Sequence, residues 1–117
     1  MTKYKKEIGA WGEEVAASWL AERGYRIIAR NVRTPYGEID IIVQQGDVTI
    51  FVEVKTLTSS TNFFPETNIT RAKQQHMFNS AQQYAAEHEI DHWQIDAIAV
   101  EGKPGMKPVV THFENAI

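Results

Sequence analysis

The stretch from Gly37 to Lys55, GEIDIIVQQGDVTIFVEVK, reads as two strands joined by a tight turn. It constrains the chain more than any other segment. Apolar and acidic residues alternate in Glu38-Ile39-Asp40-Ile41, and again around Glu53 in Val52-Glu53-Val54-Lys55. Side chains alternate faces along a strand, so Glu38, Asp40 and Ile42 are expected to share one face and Phe51, Glu53 and Lys55 to share another. Gly46-Asp47 suits a two-residue hairpin turn. With that turn, Gln45 pairs with Val48, which sets Asp40 opposite Glu53 and Glu38 opposite Lys55.

Two opposed carboxylates destabilise a strand pair by up to about 1 kcal/mol. A solvated polar face with Lys55 neutralising Glu38 explains the lysine but leaves Asp40 against Glu53. A divalent-cation site explains both acids. Hard cations such as Mg²⁺ are held by one or two carboxylates together with water and substrate phosphates. A lysine beside such an ion can hold a phosphate oxygen or the attacking water.

The preceding residues read as a helix from about Lys5 to Arg23, with Ile8, Trp11, Val15 and Trp19 on one stripe and Gly24 ending it. Glu13 lies at the margin of that stripe, where it is either an ordinary surface glutamate or a group aimed at a site; Glu14 points to solvent. Tyr25 to Asn31 reads as a strand running into a turn at Thr34-Pro35-Tyr36-Gly37. After the hairpin, Thr56 to Asn68 reads as a polar loop whose Phe63 and Phe64 tuck inward. A second helix follows from about Ile69 to Glu87, with Met77, Ala81, Tyr84 and Ala85 buried. Trp93 to Val100 reads as a strand carrying Asp96, and Val109 to Phe113 as a short edge strand. This order predicts an α/β sandwich, a mixed sheet with helices on both faces.

A chain of 117 residues suits one domain over residues 1–117. Its 43% hydrophobic and 23% charged residues are ordinary for a soluble globular protein. No stretch approaches the roughly 18–20 apolar residues that cross a bilayer, and the N-terminal residues do not read as a signal peptide. The lack of cysteine excludes disulfides and thiolate metal sites, and fits a cytoplasmic location. The net charge of −3 is unevenly spread, with +3 over residues 1–33 and −6 over residues 34–117. Setting aside Glu13, Glu38, Asp40 and Glu53 as metal-facing brings the chain to +1, so charge does not exclude a polyanionic partner.

Residues 88–92, HEIDH, match the H-E-x-x-H string of zinc peptidases. That motif needs a continuous helix, so that both histidines share a face. Here it falls where the second helix ends, and it reads as two loop histidines, His88 and His92.

The strings GAWGEEVAASWLAERGYRIIARN, GEIDIIV and FVEVK resemble the YraN family of small bacterial predicted endonucleases. That family is similar to archaeal Holliday junction resolvases and to the restriction-endonuclease-like PD-(D/E)xK superfamily. The resemblance implies a three-layer α/β/α sandwich with a central mixed sheet, and Mg²⁺- or Mn²⁺-dependent hydrolysis of DNA. It implies that Asp40 is the aspartate of that motif, Glu53 the second acid and Lys55 the lysine, with Glu13 as the additional glutamate and Glu38 as the acid of the GEID string. Glu13, Asp40, Glu53 and the carbonyl of Val54 would then hold the metal. Arg30, Arg33, Arg71 and Lys73 would contact phosphates. Branched or flapped DNA is the implied substrate class, and action on a two-fold junction implies a homodimer. The chain departs from the family pattern at Leu57, where a basic residue is usual, and at Gln94-Ile95, which replaces Arg-Phe before Asp96. Both departures remove positive charge while leaving the acids in place. They suit a second reading, a non-catalytic nucleic-acid- or protein-binding module on a nuclease scaffold.

Overall fold

The hairpin forms as expected and lies inside a five-stranded sheet. The computed structural model describes residues 2–58 and 62–117. Its elements are α1 (Lys3–Glu22), β1 (Arg26–Thr34), β2 (Gly37–Gln45), β3 (Val48–Leu57), α2 (Pro65–Asn68), α3 (Arg71–Glu87), β4 (Trp93–Glu101) and β5 (Val109–Phe113). The strands lie in the order β1-β2-β3-β4-β5. Among the described strands, only β3 and β4 are parallel, because α3 supplies the crossover that a parallel pair requires.

α1 and α3 cover opposite faces, giving the α/β/α sandwich. Leu20 and Ala16 of α1 meet Ile41, Val43, Ile50, Val52, Ile98 and Val100. Met77, Ala81 and Ala85 of α3 meet Ile39, Ile42, Phe51 and Ile95. The central strands are apolar on both sides for this reason, reading Ile41-Ile42-Val43 and Ile50-Phe51-Val52. Among the described residues, no helix is long and apolar enough to cross a membrane.

Local chemistry sets the helix ends. The Thr2 hydroxyl accepts from the Lys5 N–H at 3.2 Å and caps α1; the Thr70 hydroxyl does the same for α3 through Lys73 N–H at 3.1 Å. Gly24, at φ +90°, takes the left-handed turn after α1. His88 caps the end of α3, Glu89 has φ 55°, and His92 lies past the helix with its carbonyl accepting from Thr49 N–H at 2.9 Å. The zinc-peptidase string is therefore broken by a helix end.

Several boundaries differ from the expectations. β3 continues through Thr56 and Leu57, since β4 offers them partners in Val100 and Glu101. The rest of the expected loop contains a single helical turn at Pro65–Asn68, and its residues 59–61 lie outside the described part. Phe63 is buried, but Phe64 is 51% exposed, so only one of the pair tucks in. Likewise, β1 extends to Thr34 because Val32, Arg33 and Thr34 find partners in Ile39, Glu38 and Gly37.

The contact between α1 and β3 rests on a glycine. A methyl added at Gly12 would run into the Thr56 hydroxyl and crowd its Cβ and Cγ2, whereas one at Gly9 would meet open space. Gly12→Ala is therefore expected to destabilise the fold by about 1–3 kcal/mol despite alanine's better helix propensity. Gly9→Ala is expected to stabilise it by up to about 1 kcal/mol. Thermal melts of the two variants, moving in opposite directions, check this.

Candidate functional site

The β2–β3 ladder runs from Gln45↔Val48 to Ile41↔Val52 and stops one step short of Asp40 and Glu53. Beyond that point the Asp40 carboxylate replaces the ladder, its Oδ2 accepting from Val54 N–H at 2.8 Å. Strict alternation fails here. Ile39 and Ile42 both lie under α3, while Ile41 lies under α1. The expected common face of Glu38, Asp40 and Ile42 is therefore not kept. The neighbouring edge strand shows the matching irregularity at Asn31, whose φ is 52°, a backbone state asparagine tolerates better than most residues.

Asp40 and Glu53 nevertheless meet. Burial, then the adjacent Glu53 carboxylate, pushes the Asp40 carboxyl up to about 8, with Glu13 adding to the rise and the Val54 N–H opposing it. Burial also raises Glu53, while Lys73 and the hydrogen bond from Asp40 pull it back. Both carboxyls are therefore held above the usual carboxylate range, and the pair retains a proton that either would lose in water. Two like-charged carboxyls in contact and out of water cannot both ionise cheaply.

Lys73 Nζ lies 3.6 Å from Glu53 Oε1, with the lysine side chain 47% and the glutamate side chain 17% exposed. Lys73, expected to contact phosphate, lies on α3 and reaches Glu53 on β3. Arg30 is also engaged, at 2.9 Å from Glu14 on α1. Glu14 is exposed, as expected, but does not point away unpaired. Arg33 and Arg71 are exposed and make no ion pair among the described residues.

Glu13 faces the same region from α1, and its Oε1 accepts from Asn31 Nδ2 at 2.8 Å. The same Nδ2 donates to Glu38 Oε1 at 3.2 Å. The expected pairing of Glu38 with Lys55 does not form; Glu38 sits opposite Arg33 on β1 instead. Asn31 was missed from the sequence, although an asparagine between strand-forming neighbours is a signal for a left-handed residue. Lys55 is exposed and shares a cleft of 490 Å³ with Glu13 and Val54.

Among the described residues, no three of the His, Asp and Glu side chains form a ready-made ligand cluster. Asp40 and Glu53 are in contact, and Glu13 acts on both through its field. Two touching, largely buried carboxyls that must share a proton are a donor set that a hard divalent cation suits, since the ion removes their repulsion.

Asp96 is used differently. It is fully buried, with Oδ1 accepting from Gln94 Nε2 and Asn115 N–H, both at 2.8 Å, and Oδ2 at 2.7 Å from His112 Nε2. It ties β4 to β5 and to the residues after it.

The family described as "Uncharacterised protein family UPF0102" matches residues 12–100. A UPF0102 protein of Syntrophotalea carbinolica is 40% identical, over 99% of this chain and 95% of its own length. One of Treponema pallidum is 42% identical, over 89% of this chain and 85% of its own. A solved structure of Pyrococcus furiosus SfsA in complex with Ca²⁺ is 15% identical, with a TM-score of 0.38 over 94% of this chain. This chain spans 63% of the length of that one.

Proposed function

This chain belongs to the UPF0102 (YraN) family, and we propose that it is a divalent-metal-dependent endonuclease that hydrolyses phosphodiester bonds in DNA. The observation that carries this reading is the meeting of Asp40 and Glu53, two largely buried acids, where the β2–β3 ladder ends, beside a cleft lined by Glu13 and Lys55. Asp40 and Glu53, with the carbonyl of Val54, would hold Mg²⁺ or Mn²⁺, and Glu13 would complete the charge from α1. Such an ion supplies Lewis acidity at a phosphoryl oxygen and lowers the pKa of its water.

The remaining work falls to the protein. Lys55, exposed at the cleft, would hold the attacking water or a phosphoryl oxygen as negative charge develops. Lys73 holds Glu53 in position and offsets part of the acid pair's charge. Arg33 and Arg71 are left to meet phosphates along the strand. Branched or flapped DNA is the substrate class the family likeness favours, with a homodimer where the junction is two-fold symmetric.

The engagement of Arg30 and Lys73 by Glu14 and Glu53 favours the other reading, a binding module without catalysis. That module would bind DNA equally well with chelator, with Mn²⁺ or as Asp40→Asn. The deciding experiment incubates labelled junction and flap DNA with Mg²⁺, Mn²⁺ or chelator. Nicking that needs metal and is lost in Glu53→Gln, alongside a saturable Mn²⁺ binding heat lost in the same variant, is the expected result. Equal cutting by Glu53→Gln, or no cutting of either substrate in either metal, removes the nuclease reading.

A further inference from the structure

The cleft beside the acid pair extends well beyond what hydrolysis of one bond needs. It runs along the first turns of α1 and the end of β3, lined by Tyr4, Lys5, Ile8, Glu13, Lys55 and Thr56, with a volume of 490 Å³. From Tyr4 to Glu13 the helix advances about 13 Å, longer than the span of a single nucleotide. Tyr4 is 60% exposed at the far end, a large ring left mostly in water. Lys5 and Lys55 make no ion pair among the described residues, so both ammonium groups are available to a polyanion.

We infer that this cleft is a subsite for an unpaired strand, in which a base stacks on Tyr4 while Lys5 and Lys55 hold successive phosphates and the backbone is led towards Asp40 and Glu53. The last clause rests on the nuclease reading; the stacking does not. A ring at one end and ammonium groups along the floor match the alternation of base and phosphate in a single strand. Sequence-tolerant single-strand sites combine aromatic stacking with a basic groove in this way. A duplex does not suit the ring, because its bases are already stacked on each other and offer no free face. The cleft therefore selects flaps, ends and unpaired junction arms over continuous duplex.

The test is fluorescence anisotropy of the whole chain in chelator, which prevents cutting, using a thymidine oligonucleotide, an abasic strand of equal length and a blunt duplex. Tyr4→Ala is expected to weaken thymidine-strand binding by about 5- to 150-fold, the range of one base stack. Tyr4→Phe should keep it, and neither should change abasic-strand or duplex binding by more than about twofold. Lys5→Ala should weaken the thymidine and abasic strands alike and flatten the salt dependence by about 0.7 in slope. The proposal is overturned by equal losses on both strands in Tyr4→Ala, by no loss on the thymidine strand, or by a parent protein that does not bind that strand. Metal-dependent cutting by the parent reads the nuclease separately. A cutting protein without the thymidine contrast loses the cleft and keeps the nuclease, and a non-cutting protein with the contrast does the reverse.

Discussion

Asp40→Asn is expected to abolish metal-dependent cleavage and, in the same molecule, to stabilise the metal-free protein. The reason is the raised carboxyl. An unfolded aspartate ionises near 4, whereas the folded one keeps its proton to about 8. Between those values the folded state binds more protons than the unfolded chain, so stability falls as pH rises through the window and levels off above it. Glu53 is raised by burial too and adds in the same direction. In chelator the parent should therefore melt at a higher temperature at pH 5 than at pH 8. Asn at position 40 carries no charge to desolvate, so the variant should lose most of that slope and melt above the parent at pH 8. A parent melting temperature that climbs from pH 5 to pH 8 would show that the two carboxyls are not in contact.

The functional side of the same substitution follows from the donor set. A cation competes with the shared proton, so metal affinity should rise with pH up to about 8, and cleavage with it. Loss of Asp40 should lower cleavage by at least about 10²–10³-fold. Lys55→Ala should cost a similar factor while leaving the Mn²⁺ binding heat intact, since Lys55 carries no metal-binding oxygen and acts on the reacting phosphate. Equal loss of binding heat in both variants would contradict that division of roles.

Asp96→Ala is the second large effect, and it falls on stability. The carboxylate accepts from or contacts three groups: Gln94 Nε2, Asn115 N–H and His112 Nε2. His112 is further held between the edges of Trp19 and Tyr25, with ring centroids at 5.5 and 5.9 Å. Removing the acid leaves these groups in a buried site without their partner, at a cost of about 3–5 kcal/mol. Against a total stability of about 5–15 kcal/mol, the melting temperature should fall by on the order of 10–20 °C. Metal binding by the folded fraction should be unchanged, because Asp96 lies in the ladder opposite Val52 on the α1 side, apart from the acid pair. A shift of only a few degrees would mean that β5 is held by its strand pairing alone.

Much of this was legible in the chain because its causes are local. The turn at Gly46-Asp47 places Gln45 opposite Val48, and the stripes of α1 and α3 name the faces that become buried. The approach of Asp40 to Glu53 follows from that register, although the regular ladder ends just before them. The errors share one cause. Counting along ideal strands put Glu38 against Lys55, but Asn31 at φ 52° and the Val54 N–H bonded to the Asp40 carboxylate interrupt the alternation. The ion pairs of Lys73 with Glu53 and of Arg30 with Glu14 were not legible either, since an ion pair across 16 or more positions leaves no periodic trace.

The sequence by itself determined the family, the strand and helix order, and the hairpin that brings the two acids near each other. Each depends on neighbours in the chain or on a pattern with a fixed period. Only the tertiary structure decided that burial raises both acids of the pair, which lysine faces Glu53, that Asn31 joins Glu13 to Glu38, and that Asp96 serves the fold. Those outcomes depend on how far burial strips water from a charge and on which helix crosses which strand, and neither quantity is written in the order of residues alone.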